Sequence, residues 1–67
     1  MTLVQLRHFL DLASTGSFSK SAEKLFITQP ALSRSIKSLE DELGQALFDR
    51  VGRKNELTAF GKHILLQ

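Results

Sequence analysis

The only proline in the chain, Pro30, marks a helix start, and that start constrains everything on either side of it. Thr28 is a good N-cap, Pro30 falls in the first turn where no backbone N–H is required, and Ile27 with Leu32 forms a hydrophobic staple across the start. The signal predicts a helix from about Gln29. Its apolar residues Leu32, Ile36, Leu39 and Leu43 step by four, three and four along one face, and Gly44 just beyond suits the left-handed residue that closes a helix. A second helix, capped by Ser17 or Ser19 and carrying Phe18, Ala22 and Leu25 on one face, must end near Phe26 because the new start follows at once. The order is a short helix, a tight turn and a longer helix.

Upstream, Thr2 and Gln5 are spaced as a capping box, and Leu3, Leu6, Leu10 and Ala13 recur at helical spacing, which predicts a first helix over about 3–14. The reading places that stripe in the core and leaves a narrower stripe of Val4, His8 and Leu12 partly exposed, waiting for another helix. Downstream, residues 47–51 have extended character, Gly52-Arg53-Lys54-Asn55 is turn-rich, and Glu56-Leu57-Thr58 returns as a second short strand, giving a small two-stranded wing. Thr58 then caps a last helix with Phe60, Ile64, Leu65 and Leu66. Three consecutive apolar residues there imply continuation into, or packing against, something further.

With 67 residues and 7.5 kDa, the chain has material for one small core, and its lack of cysteine removes a disulfide framework and a thiolate metal site as sources of stability. Hydrophobic residues at 42% and charged residues at 24% fit a compact soluble fold, neither disordered nor membrane-spanning. The opening Met1-Thr2-Leu3-Val4 lacks a signal-peptide pattern, so a cytoplasmic protein is expected. A net charge of +2 with a pI near 9.4 points weakly to an anionic partner. Distribution says more: Glu40, Asp41 and Glu42 form an acidic knot, whereas Arg50, Arg53 and Lys54 crowd together.

The face of the third helix opposite the leucine stripe carries Pro30, Ser33, Arg34, Lys37 and Asp41. Hydroxyl, guanidinium and ammonium groups occupy its front half and carboxylate its rear, which is the polarity of a recognition helix whose N-terminal residues reach base edges. The same pattern also describes a solvated helix face. At the wing, Arg53 and Lys54 are placed to enter a minor groove or hold phosphates, and equally describe an ordinary polar hairpin tip. Catalysis has no constellation to rest on: His8 and His63 are the only imidazoles, and the sequential acidic triplet fans around a helix instead of converging. A winged-helix module that meets an acidic protein surface is the stronger rival, separable from a DNA binder by salt-dependent duplex binding.

The segments Leu6-Arg7-His8-Phe9, Gly16-Ser17-Phe18-Ser19, Ser21-Ala22-Glu23-Lys24-Leu25, Thr28-Gln29-Pro30-Ala31-Leu32-Ser33-Arg34, Ile36-Lys37-Ser38-Leu39-Glu40, Leu43-Gly44, Leu47-Phe48-Asp49-Arg50 and Leu57-Thr58-Ala59-Phe60-Gly61 occur in order. Together they make the chain resemble the N-terminal DNA-binding region of LysR-type transcriptional regulators, over essentially its whole length. The resemblance implies a mainly α fold, a winged helix-turn-helix of three helices, a two-stranded β wing and the start of a linker helix. Residues 1–58 are then the DNA-binding domain and 59–67 the start of the truncated linker helix. By carry-over, Gln29, Pro30, Ser33 and Arg34 face bases, Thr28, Lys37, Arg50 and Lys54 touch the backbone, and Arg53 enters the minor groove. The dimer surface is assigned to Val4, His8, Leu12, Ile64 and Leu65.

The implied partners are a double-stranded DNA operator in the form of an interrupted inverted repeat, a second copy joined through the linker helix, and a small-molecule effector held by a domain outside this chain. No cofactor, metal or membrane is implied. Two departures stand out: Ser21 occupies a position where the family usually has Ala, and Thr28 replaces the commoner Ser while keeping the cap.

Overall fold

The computed structural model describes residues 1–66; Gln67, the last residue of the expected linker segment, lies outside the described residues. The elements are α1 (Leu3–Thr15), α2 (Phe18–Leu25), α3 (Gln29–Leu43), β1 (Phe48–Val51), β2 (Lys54–Leu57) and α4 (Ala59–Leu65). Each predicted start has its cap. The Thr2 hydroxyl accepts from the Gln5 N–H while the Gln5 side chain accepts from the Thr2 N–H, and Ser17, Thr28 and Thr58 accept from Lys20, Ala31 and Gly61. Gly16 and Gly44 close α1 and α3 with φ of 68° and 77°, the left-handed conformation that glycine adopts without a Cβ penalty.

The α2–α3 turn is closed differently. Phe26 takes the left-handed conformation at φ 59°, and its N–H and that of Ile27 return to the Glu23 and Ala22 carbonyls at 3.2 and 3.0 Å. The ring is 96% exposed. Phe26 therefore bears backbone strain without burial, because the turn is dictated by the α3 start immediately after it.

The core comprises Phe9, Leu12, Ala22, Leu32, Ile36, Leu39 and Leu47, ringed by Leu6, Phe18, Leu25, Ile27, Leu43, Phe48, Leu57, Phe60 and Ile64. This corrects the expected orientation of α1. Leu12, read as part of an exposed stripe, is fully buried, whereas Leu3 and Leu10, read as core, are 85% and 46% exposed. The aromatic ring decides the face: Phe9 is fully buried and meets Phe48 edge to face with centroids 5.6 Å apart. Turning Phe9 inward carries Leu12 with it and rotates Leu3 and Leu10 outward.

The wing is an antiparallel pair in which Phe48 faces Leu57 and Val51 faces Lys54. Its loop is shorter than expected. Lys54 and Asn55, read as turn, belong to β2, and Gly52-Arg53 alone make the reversal. Gly52 at φ 62° allows it, as in hairpins with glycine first in a two-residue loop. The wing is fastened at two levels: near its turn the Asn55 N–H donates to the Gly16 carbonyl at 2.9 Å, and at its base Glu40 accepts from the N–H groups of Leu47 and Phe48 at 2.7 and 3.3 Å. Glu40, read as part of an acidic knot, is thus a structural clasp. At Gly61 a Cβ would lie 2.3 Å from the Leu47 carbonyl oxygen, so α4 approaches the residue before β1 this closely only with glycine there. Ser21 is fully buried and its hydroxyl lies 2.5 Å from that of Thr15, which satisfies the polar group at the α1–α2 contact.

The corrected face of α1 makes a direct stability prediction. Leu12→Ala should lower unfolding free energy by about 3 kcal/mol, whereas Leu3→Ala should change it by about 0.5 kcal/mol or less, both read from urea denaturation. Gly61→Ala should cost about 1 to 3 kcal/mol through overpacking.

Candidate nucleic-acid interface

Helix α3 presents its residues in three sectors. Leu32, Ile36 and Leu39 enter the core. A polar seam binds the flank to α1: His8 Nδ1 lies 2.7 Å from the Ser35 hydroxyl, Gln5 Nε2 donates to Ser38 at 3.3 Å, and the N-terminal ammonium pairs with Glu42. These pairs step down α1 as they step up α3, so the two helices run antiparallel in a fixed register. The remaining sector, Gln29, Pro30, Ser33, Arg34 and Lys37, is exposed.

Electrostatics divides that sector. Lys37 Nζ approaches Asp41 Oδ1 at 3.3 Å, one turn along the helix, with both side chains largely exposed; such a pair is worth only about 0.3 to 0.5 kcal/mol and yields readily to a phosphate. Among the described residues, Arg34, Arg50, Arg53 and Lys54 have no carboxylate partner. The Thr28 hydroxyl accepts from the Ala31 N–H at 3.2 Å, so its first role is as a cap.

The wing and the starts of α2 and α3 meet around a cleft of about 200 Å³ lined by Ser17, Ser19, Gln29, Arg50, Arg53 and Asn55, with Phe18. The structure therefore joins Gln29 to Arg50 and Arg53, which the sequence reading assigned to separate contacts. It adds Ser17, Ser19 and Asn55, which the sequence does not single out as neighbours of the wing arginines. The signal for Ser17 and Ser19 is the Gly16-Ser17-Phe18-Ser19 run, which serves above as a helix start and as part of the family resemblance.

The residues assigned to a dimer surface separate. Leu12 is core, and His8 is half-buried and engaged with Ser35. Ile64 packs against the core edge, while Val4 and Leu65 are 61% and 39% exposed. No helix among the described residues is long and apolar enough to cross a membrane.

Residues 3–62 match the model of the bacterial regulatory helix-turn-helix protein, lysR family. The chain belongs to the LysR family. It is 48% identical over 65 residues to a transcriptional regulator of Azotobacter vinelandii and 52% identical over 63 residues to the SDS degradation transcriptional activation protein of a Pseudomonas strain. The matches cover 97% and 94% of this chain but only 45% and 21% of those proteins, so the LysR chain described here spans less than half the length of either relative. Among solved structures, the BenM DNA-binding domain in complex with benA site 1 DNA superposes with a TM-score of 0.93 at 42% identity, covering 98% of this chain and 77% of that one. The CbnR DNA-binding domain bound to DNA gives 0.92 at 36% identity, covering 98% and 76%.

This LysR domain depends on its caps to present α3. Thr28→Ala should lower stability by about 1 kcal/mol and Thr28→Ser should restore most of it, as measured by thermal unfolding.

Proposed function

We propose that the chain is the operator-reading domain of a bacterial LysR-type transcriptional regulator, binding double-stranded DNA sequence-specifically with α3 in the major groove and the β1–β2 wing at the minor groove. The observation that carries this reading is the open sector of α3, where Arg34 has no carboxylate partner among the described residues and stands beside Ser33, Pro30 and Gln29 on the face opposite the core. Similarity to two LysR domains whose structures contain DNA supports it. The domain acts by binding rather than catalysis, and the regulator works in the bacterial cytoplasm on nucleoid DNA.

Within this reading Gln29, Pro30, Ser33 and Arg34 face bases, Thr28, Lys37, Arg50 and Lys54 hold the backbone, and Arg53 reaches the minor groove. The operator is an interrupted inverted repeat, read by two copies of the protein. Residues 1–58 form the reading domain and 59–67 open the linker helix through which the copies associate. Val4 and Leu65, with Ile64 at the margin, are the residues of the expected dimer surface that remain available. An effector domain elsewhere in the whole protein senses a small molecule.

Arg donates two parallel bonds to guanine, whereas Lys acts as a point charge. Arg34→Ala should therefore cost about 1 to 3 kcal/mol and relax preference at one base pair, while Lys37→Ala should weaken all sequences alike and reduce the salt slope by about one unit. Fluorescence anisotropy on a specific and a random duplex across a salt series reads both. Equal losses on the two duplexes for Arg34→Ala would contradict base reading.

The negative potential of a narrow A·T minor groove attracts arginine. Replacing A·T by G·C pairs beneath the wing should accordingly weaken wild type more than Arg53→Ala, and identical responses would remove Arg53 from the minor groove.

A further inference from the structure

The register of the wing sorts its side chains onto two faces of different charge. Phe48 pairs with Leu57 and Arg50 with Asn55, so these four share the face turned to the domain, where Phe48 and Leu57 pack against the core. Asp49 pairs with Glu56 and Val51 with Lys54, and these four share the outer face, exposed along its whole length. Asp49 and Glu56 stand directly opposite one another, and like charges so placed destabilise a strand pair. Neither has a lysine or arginine partner among the described residues. Lys54, the one cation of the four, stands in the pair next to the turn, so the outer face is cationic at its tip and anionic toward its base. Asp49 lies three residues before Gly52, which at about 3.3 Å per residue puts the carboxylates roughly 10 Å from the turn. That is about one screening length at 0.1 M salt. A duplex met by the tip alone is largely screened from the pair, whereas a duplex lying along the outer face is not.

We propose, resting on the duplex-binding reading above, that Asp49 and Glu56 are specificity-determining residues that act by repulsion: they bar phosphate from the base of the outer face and restrict wing contact to its tip. Non-specific binding is driven by charge and samples many orientations, whereas base reading by α3 uses one. An orientation that lays the outer face along a DNA strand gains Lys54 but meets two carboxylates, so the pair weakens it most. The orientation that seats α3 and brings in only the wing tip keeps the carboxylates about a screening length away. The pair lowers the stability of the hairpin and widens the gap in affinity between a specific site and other DNA, since discrimination is gained by penalising wrong complexes as well as by favouring the right one.

Fluorescence anisotropy of the chain on a specific and a random duplex, across a salt series, reads the effect. Asp49→Asn combined with Glu56→Gln should tighten the random duplex about five- to tenfold and the specific duplex less than about twofold, so that the ratio of the two affinities falls. The salt slope on the random duplex should steepen by about one unit, because one further phosphate comes within reach of Lys54. Adding Lys54→Gln to the double variant should remove that unit. The double variant should melt no lower than wild type, because neutral amides of the same shape relieve the like-charge repulsion.

Net charge acting at long range is the competing explanation, and a single-charge comparison separates it. Glu56→Gln alone should lower the affinity ratio, whereas Glu23→Gln, which removes the same charge from the exposed surface of α2, should strengthen both duplexes alike and leave the ratio unchanged. Equal gains on the two duplexes for the double variant, or a ratio lowered as much by Glu23→Gln as by Glu56→Gln, would overturn the role of the pair while leaving sequence reading intact. A wild-type chain that binds both duplexes equally, or neither, would overturn the sequence-reading function and the role of the pair with it.

Discussion

The rotation of α3 about its own axis is fixed by two sets of interactions on adjacent flanks, and the character of the exposed sector follows from them. Leu32, Ile36 and Leu39 are sealed against Phe9, Leu12 and Leu47 in the core. Beside them the antiparallel series His8–Ser35, Gln5–Ser38 and the N-terminus with Glu42 sets the axial register. A burial stripe alone tolerates sliding of one helix along another, because dispersion contacts are non-directional. The hydrogen bonds each contribute only about 1 kcal/mol net, but a one-turn slip would break the whole series. With both constraints satisfied, Gln29, Pro30, Ser33, Arg34 and Lys37 have no direction left except outward.

The wing is held to the same frame by groups that do not belong to it. Glu40 on α3 accepts from the N–H groups at the start of β1, Gly16 at the end of α1 accepts from Asn55, and the Thr58 hydroxyl donates to the Ala46 carbonyl at 2.7 Å while capping α4. A two-stranded hairpin is marginal by itself in water. Here its position relative to α3 is set by hydrogen bonds at its base and beside its turn, so the basic turn at its tip keeps a defined distance from the helix that it accompanies.

The helix boundaries and the wing were legible in the sequence because caps act locally. Thr2, Ser17, Thr28 and Thr58 each satisfy an N–H three residues away, and no tertiary partner is needed to recognise them. The face of α1 was not legible, since Leu3 and Leu10 continue the helical spacing of Leu6 as well as the buried Phe9 and Leu12 do, and the choice is made by the fit of Phe9 against Phe48 across the chain. Exposure of the α3 sector could be read from its period, whereas the convergence of Ser17, Ser19 and Asn55 with Arg50 depends on a wing-to-corner hydrogen bond between residues far apart in sequence. Glu40 illustrates the converse: its charge suggested solvent, but its carboxylate serves buried backbone.

On the proposed function, this frame holds a sequence-reading sector against a duplex. This role is tested most directly by incubating the chain with a random-sequence duplex pool, recovering the bound fraction through successive rounds and sequencing it. One short half-site should be enriched, and binding of that duplex should fall steeply as salt rises because lysine and arginine release condensed counterions. Recovery of no common sequence by a folded chain, or binding insensitive to salt, would contradict it.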